Sequence, residues 1–150
     1  IEVRKIVESK GERMKLWLDT EFNGWEGDLI SMGITSEDGK EFYEVLECRV
    51  PVPWVKENVI PLLLKDSISK GLFTKRLEQY LSQWDRVEVI ADWPRDLELF
   101  YSSLLVGNGW MISFPKQFST KLVRGLDTHS LLPHNAIEDA RALKAAYLAV

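Results

Sequence analysis

The sequence has little cysteine and no long apolar run. Cys48 is the single cysteine among 150 residues, which excludes an internal disulfide and a cysteine-rich zinc site. A lone cysteine also fits a reducing compartment, so we expect a cytoplasmic protein. No apolar stretch approaches the roughly 20 residues of a transmembrane helix, so we expect no membrane partner. These absences favour a globular domain.

Basic residues do not predominate either. The chain has 19 Lys and Arg against 23 Asp and Glu, a formal net charge of −4. Proteins that bind nucleic acid more often have a basic surface, but a cluster of acids that binds cations would itself lower the net charge. The 45% of hydrophobic residues is ordinary for a protein with a packed core and argues against disorder.

Met14 directly precedes the first convincing strand. The codons of residues 10–12, Lys-Gly-Glu, can contain AAGGAG, a ribosome-binding sequence. We therefore expect residues 1–13 to be a translated leader or a non-native extension, and residues 14–150 to be one domain. The actual codons would test this expectation.

The order of the predicted elements indicates an α/β fold with a mixed five-stranded sheet flanked by helices. Three strands come first, and an Asp-Gly turn between the second and third indicates an antiparallel meander; they are predicted at 15–22, 28–35 and 41–47. Then come a helix, a strand, a helix, a strand and a final helix, at 72–84, 86–92, 96–106, 110–114 and 135–150. A loop with several basic residues is expected to follow the fifth strand.

Two acids interrupt the first strand, which is otherwise apolar. Because side chains alternate along a strand, Trp17, Asp19 and Glu21 point to one face, and Leu16 and Leu18 to the other. Two carboxylates on one face repel each other and are costly to bury. A divalent cation would resolve the conflict, since Mg²⁺ and Mn²⁺ prefer oxygen ligands. The alternative is a solvated strand end.

The final helix has a third acid on an inward face. Its core stripe is predicted to include Ala136, Asp139, Leu143, Ala146 and Val150, with Ala140 and Tyr147 beside it. Asn135 is expected to cap this helix, with Glu138 three residues later. His134 precedes the helix, and its ordinary pKa suits proton transfer near neutral pH. The alternatives are a loop histidine and an acid that interacts with the helix dipole.

A second pair of acids lies where the fourth strand meets the next helix. Asp92 is expected at the end of the strand and Asp96 at the start of the helix. Either one can instead serve as a helix cap. The two remain alternatives for one ligand position.

Together the motifs LDTEF, DWPRD and HNAIEDARAL resemble those of the DEDD exonucleases, histidine subclass, within the ribonuclease H-like superfamily. The resemblance spans residues 15–150 and is closest to compact bacterial or phage exoribonucleases similar to ribonuclease T, oligoribonuclease and adenylate-specific ribonuclease. It implies hydrolysis of single-stranded RNA from the 3′ end. By this resemblance Asp96 is the family aspartate, and Asp92 stands where the family often has Asn.

The resemblance also implies a two-metal mechanism with Mg²⁺ or Mn²⁺ as cofactor. Asp19, Glu21, Asp96 and Asp139 would hold two ions, one activating the attacking water and one stabilising the leaving 3′ oxygen. His134 would act as the general base. These five residues are the expected catalytic set, with Asp92 as the alternative to Asp96.

Further residues are candidates for substrate binding. The positions after Glu21 fall where the family contacts the 3′-terminal nucleotide, and aromatic side chains there can stack a base; they are Phe22, Asn23, Gly24 and Trp25. The basic loop before the last helix offers phosphate contacts, namely Lys116, Lys121 and Arg124.

Two other functions stay open at this point. One is a 3′–5′ exonuclease on single-stranded DNA, because the contact to a 2′-hydroxyl that would distinguish RNA cannot be identified in the sequence. The other is a catalytically silent nucleic-acid-binding module. By resemblance alone we expect a homodimer.

Overall fold

The computed structural model describes residues 13–150, so the expected leader lies outside the described residues except for Arg13. The strands are β1 Met14–Phe22, β2 Leu29–Ser36, β3 Glu41–Leu46, β4 Ser67–Ile68, β5 Arg86–Ala91, β6 Leu105–Gly107, β7 Trp110–Met111 and β8 Gln117–Leu122. The helices are α1 Pro53–Asn58, α2 Lys70–Leu81, α3 Pro94–Ser103 and α4 Ala136–Leu148, with a 3₁₀ turn at Ile60–Leu62. None of the helices in this range is long and apolar enough to cross a bilayer.

The expected α/β class is confirmed, and the first three strands form the expected antiparallel meander. Six strands make one mixed sheet in the order β4-β3-β2-β1-β5-β8. β5 runs parallel to β1 on one side and to β8 on the other. Because β1 and β5 are parallel, the residues that follow both strands meet at the same edge of the sheet.

The expected alternation along β1 is also present. Leu16 and Leu18 are buried in the main core, against Phe73 of α2 and Phe100 of α3. Trp17 is buried on the opposite face, in a smaller cluster that includes residues of α4. The sheet therefore has α2 and α3 on one face and α4 on the other. Asp19 and Glu21 share the α4 face with Trp17.

The prediction of the fifth strand was wrong. Residues 110–111 form only a short ribbon with β6, outside the main sheet, and α3 ends at Ser103 rather than at residue 106. The strand that joins β5 is β8, where a loop was expected, so the sheet has six strands if the two-residue β4 is included. β8 is an edge strand of mixed polarity. Phe118 is its main anchor and stacks on Phe100 at 5.9 Å between ring centroids.

The core stripe of α4 was predicted correctly only in part. Ala136, Ala140 and Leu143 are buried, and Asp139 is partly buried. Val150, however, is 96% exposed, and Ala146 is only partly buried. The reason is that α4 ends at Leu148, so that the last residues no longer follow its helical period.

Candidate active site

β1 and β2 together place the first two acids. Asp19 and Glu21 lie near the end of β1, and Asp19 is directly opposite Gly33 of β2. A Cβ atom at Gly33 would lie 2.5 Å from backbone atoms of Ala136 and Ile137, at the start of α4. Only glycine therefore allows α4 to approach the sheet this closely. The close approach brings the first turn of α4 onto the strand that carries the acids.

The first turn of α4 supplies the third acid. The Asn135 side chain caps the helix as expected, accepting a hydrogen bond from the Glu138 backbone N–H at 3.1 Å. It also donates to the Leu62 carbonyl at 2.9 Å, which ties the cap to the 3₁₀ turn. With the helix start fixed in this way, carboxylate oxygens of Asp19, Glu21 and Asp139 lie within 4.8 Å of one another.

His134 lies directly beside this group. Its backbone N–H donates to Asp139 Oδ2 at 3.1 Å, and its φ of +74° is in the left-handed region. The imidazole meets the indole of Trp54 edge to face, with 5.1 Å between ring centroids. Among residues 13–150, no hydrogen bond of the imidazole nitrogens accompanies this ring contact.

The junction of β5 and α3 brings in both Asp92 and Asp96, not one of them. Carboxylate oxygens of Asp19, Asp92 and Asp96 lie within 4.8 Å of one another. Asp96 is only 2% exposed. Its Oδ1 accepts hydrogen bonds from the Thr20 hydroxyl at 2.6 Å and from the Thr20 backbone N–H at 3.3 Å. Asp92 and Asp96 were predicted as alternatives for one ligand position, but the fold places both next to Asp19.

Burial raises the pKa of all five acids, and repulsion by neighbouring acids adds to the rise for all of them except Asp139. Burial, followed by the charges of Asp139 and Asp96, raises the pKa of Glu21 from 4.5 to about 8. Burial, with a further rise from the charge of Asp92, raises the pKa of Asp96 to about 7. The pKa of Asp19 lies well above its ordinary value, because it is buried and has acids on several sides. Burial also raises the pKa of Asp92 and of Asp139.

These residues fit a divalent cation. Asp19 Oδ2 and Asp96 Oδ2 are both buried, and neither has a hydrogen-bond partner in the described part of the chain. Buried carboxylate oxygens without a partner are rare in folded proteins, because they lose hydration and gain nothing in exchange. Hard cations such as Mg²⁺ and Mn²⁺ bind such oxygens. The acidic clusters therefore could hold metal ions.

The residues after Glu21 lie near the site but differ in what they can do. Asn23 is occupied, because its amide donates to the Val50 carbonyl at 3.0 Å and accepts from the Val52 N–H at 2.9 Å. Gly24 has a φ of +75° and forms the turn after β1. Phe22 is partly buried, whereas Trp25 is 89% exposed and available for stacking.

The three basic candidates do not share one loop. Lys121 lies in β8, where its ammonium contacts the hydroxyl of Tyr147 at 3.2 Å, so its predicted location was wrong. Lys116 is exposed just before that strand. Arg124 alone reaches the acids: it donates to the Asp92 carbonyl oxygen, and its guanidinium carbon lies 5.0 Å from the centre of the Trp93 ring.

Sequence reasoning missed three residues that shape the site: Thr20, Gly33 and Trp54. Each contributes through a tertiary contact, namely a hydroxyl on Asp96, a missing Cβ beneath α4 and an indole edge on His134. The one available signal was that a glycine in a strand often marks a close backbone approach.

No protein-family model matches the chain, and a search of the curated proteins found no match either.

Proposed function

We propose that this protein is a metal-dependent 3′–5′ exonuclease of the ribonuclease H-like fold that hydrolyses single-stranded RNA. The observation that carries the proposal is the convergence of five carboxylates at one edge of the sheet; they are Asp19, Glu21, Asp92, Asp96 and Asp139. Such a group is unfavourable without cations. His134 beside it adds a residue able to move a proton.

Each residue has a defined part in this proposal. Asp19, Glu21 and Asp139 would hold one cation, and Asp19 with Asp96 would hold a second. When bound, the two cations would lower the pKa of the attacking water and stabilise charge on the phosphate and leaving oxygen. Thr20 fixes Asp96 in place through its hydroxyl hydrogen bond.

His134 performs the proton transfer. Its imidazole accepts a proton from water as the water oxygen bonds to phosphorus, and the bond from phosphorus to the 3′ oxygen breaks. The leaving 3′ oxygen takes a proton from solvent, so the shortened strand has a 3′-hydroxyl and the released nucleotide has a 5′-phosphate. The exposed indole of Trp25 can stack a base, and Arg124 can contact a phosphate.

Strand-shortening assays test the proposal. A 5′-labelled single-stranded RNA and its DNA counterpart are incubated with Mg²⁺, Mn²⁺ or EDTA. We expect a ladder that shortens from the 3′ end, is abolished by EDTA and by Asp19→Asn, and is stronger on RNA. Asp85→Asn is the matched control, because Asp85 is exposed and precedes β5 at the strand end away from Asp92.

Other outcomes would change the proposal in different ways. Preference for the DNA strand would replace RNA by DNA as substrate. Binding of either strand without any cleavage would contradict the exonuclease and support a silent binding module. The homodimer stays a prediction, and light scattering after size-exclusion chromatography would contradict it if the protein were a monomer at micromolar concentration.

A further inference from the structure

The acids at the junction of β5 and α3 form a second group with Asp19. Asp92 directly follows the last residue of β5, and Asp96 lies in the first turn of α3. Each offers one carboxylate oxygen, and with the oxygen of Asp19 these atoms all lie within 4.8 Å of one another. A single ion can therefore reach all three side chains.

Two buried carboxylate oxygens of this group have no hydrogen-bond partner among residues 13–150 that would replace water. Asp96 is only 2% exposed, and of its two carboxylate oxygens only Oδ1 is hydrogen bonded, to Thr20. Asp96 Oδ2 and Asp19 Oδ2 are buried without a hydrogen-bond partner among residues 13–150. Two unpartnered oxygens in one place point to a ligand that accepts electron pairs.

The described part of the chain does not neutralise the group by an ion pair. Arg124 comes close, but it donates to the backbone oxygen of Asp92 and lies over the Trp93 ring. Within the described residues, no lysine or arginine nitrogen forms an ion pair with Asp19, Asp92 or Asp96. The Arg124 contact instead fixes the backbone at Asp92 and makes no ion pair with its carboxylate.

We propose that Asp92 is a direct metal ligand, and that Asp19, Asp92 and Asp96 form a three-carboxylate site that holds a divalent cation without any nucleic acid present. Three oxygen ligands of the protein suit Mg²⁺ and Mn²⁺. The inference extends the proposed function at the same site, but it concerns cation binding alone and requires no hydrolysis. Its biological meaning is that the second cation is in place before a strand arrives.

Titration with Mn²⁺ tests the inference without an activity assay. Free Mn²⁺ is measured by electron paramagnetic resonance in solutions of the full chain that contain no nucleic acid. We expect the unaltered protein to bind two ions. Asp92→Asn keeps a neutral oxygen, whereas Asp92→Ala removes the ligand, so affinity for one ion should fall in that order. For Asp92→Ala we expect a loss of more than about tenfold, the smallest loss typical of removing even an outer-shell partner.

Two further variants make the result specific. Asp139→Asn should weaken the other ion and leave the ion at Asp92 bound. Asp85→Asn removes the same charge at the opposite end of β5 and should bind two ions normally. Circular dichroism checks that each variant is folded. Because Asp92 is only partly buried, both of its substitutions are expected to fold.

The outcomes separate this inference from the proposed function. If Asp92→Ala and Asp92→Asn both bind two ions with unchanged affinity, Asp92 is not a ligand and the inference is overturned, whatever the protein does to RNA. If the unaltered protein binds two ions, loses one in Asp92→Ala and yet cleaves no strand, the inference stands and the exonuclease proposal fails.

Discussion

Two buried acidic regions of this molecule differ in one respect, the presence of a countercharge. Glu44 in β3 is 6% exposed, but Arg76 and Lys65 lie 3.0 and 3.1 Å from its carboxylate oxygens. Asp96 is 2% exposed and has a hydroxyl and a backbone N–H as partners, and no basic side chain among residues 13–150 pairs with it. Burial of an acid alone therefore does not mark a functional site. An acid that is buried without a protein cation is the stronger candidate for a site that binds a metal ion.

The comparison predicts opposite effects of substitution in the two regions, and the largest is at Asp19. Asp19 is shared by both acidic clusters. Asp19→Asn should reduce hydrolysis to background and weaken both ions, yet raise the thermal midpoint of the metal-free protein, because it removes a repelling charge. Strand-shortening assays and melting in EDTA measure these effects. Full activity in this variant would remove Asp19 from the site.

Substitution of His134 should lower the rate of hydrolysis without changing the affinity for cations. His134→Ala is expected to lower the rate by about 10²–10⁴-fold, the usual contribution of a general base. Mn²⁺ affinity should change little, because the contact of His134 with Asp139 comes from its backbone N–H. Single-turnover kinetics alongside Mn²⁺ titration would check both statements. A large loss of Mn²⁺ affinity would instead make His134 a ligand.

The uncompensated region should make stability depend on pH and on metal. In the metal-free protein the pKa of Glu21 is raised from 4.5 to about 8, and that of Asp96 from 3.8 to about 7. At these two acids the folded state thus binds more protons than the unfolded state, so their contribution to the free energy of unfolding is greatest below pH 4 and falls as the pH rises to about 8.

Added Mg²⁺ should reverse this loss. Cations compete with protons for the same oxygens, so stabilisation by Mg²⁺ should be larger at pH 8 than at pH 5. At a concentration 100 times the dissociation constant, one bound ion adds about 2.7 kcal/mol. Thermal melts in EDTA and in Mg²⁺ across this range measure it. A metal-free protein whose stability rises from pH 5 to pH 8 would contradict the prediction.

Substitution of Gly33 should weaken cation binding at one acidic cluster more than at the other. Gly33→Ala places a Cβ atom against the backbone of Ala136 and forces α4 away from the sheet. Overpacking of this kind costs about 1–3 kcal/mol. Because α4 carries Asp139 but not Asp92 or Asp96, one Mn²⁺ should be weakened more than the other. Gly71→Ala, where a Cβ meets no atom within 4 Å and the backbone is not in the left-handed region, controls for general effects of losing glycine.

Glu44 should behave in the opposite way to Asp19. Glu44→Gln removes a paired charge and should destabilise the fold by about 1–2 kcal/mol, a modest value since its partners are partly exposed. Mn²⁺ binding and hydrolysis should be unchanged. Urea melts with a parallel Mn²⁺ titration would decide. Loss of Mn²⁺ binding in Glu44→Gln would break the distinction between the two regions.

The sequence allowed the central elements to be predicted because their signals are local. Alternation in β1 separated Leu16 and Leu18 from Asp19 and Glu21, and Asn135 was identified as the cap of α4. β8 was missed because an edge strand is half exposed and has polar residues that also suit a loop. Its pairing with β5 depends on tertiary structure, because the two strands are distant in sequence.

The candidate residues of the site could be predicted from the sequence, but which of them lie together in space could not. Spacing alone could not decide between Asp92 and Asp96, because a turn between strand and helix can bring one or both toward Asp19. Gly33 is opposite Asp19 only once β1 and β2 pair. Such contacts depend on how α3 and α4 pack on the sheet, and local sequence patterns do not predict this packing.

The left-handed backbone conformation of His134 lowers stability at a position where the proposed function requires an imidazole. A φ of +74° costs a residue with a Cβ atom roughly 1–2 kcal/mol, a penalty that glycine does not have. Selection for stability alone would therefore favour glycine at residue 134. An imidazole held there against the preference of its own backbone is a conformational burden that the rest of the fold, including the cap at Asn135, must offset.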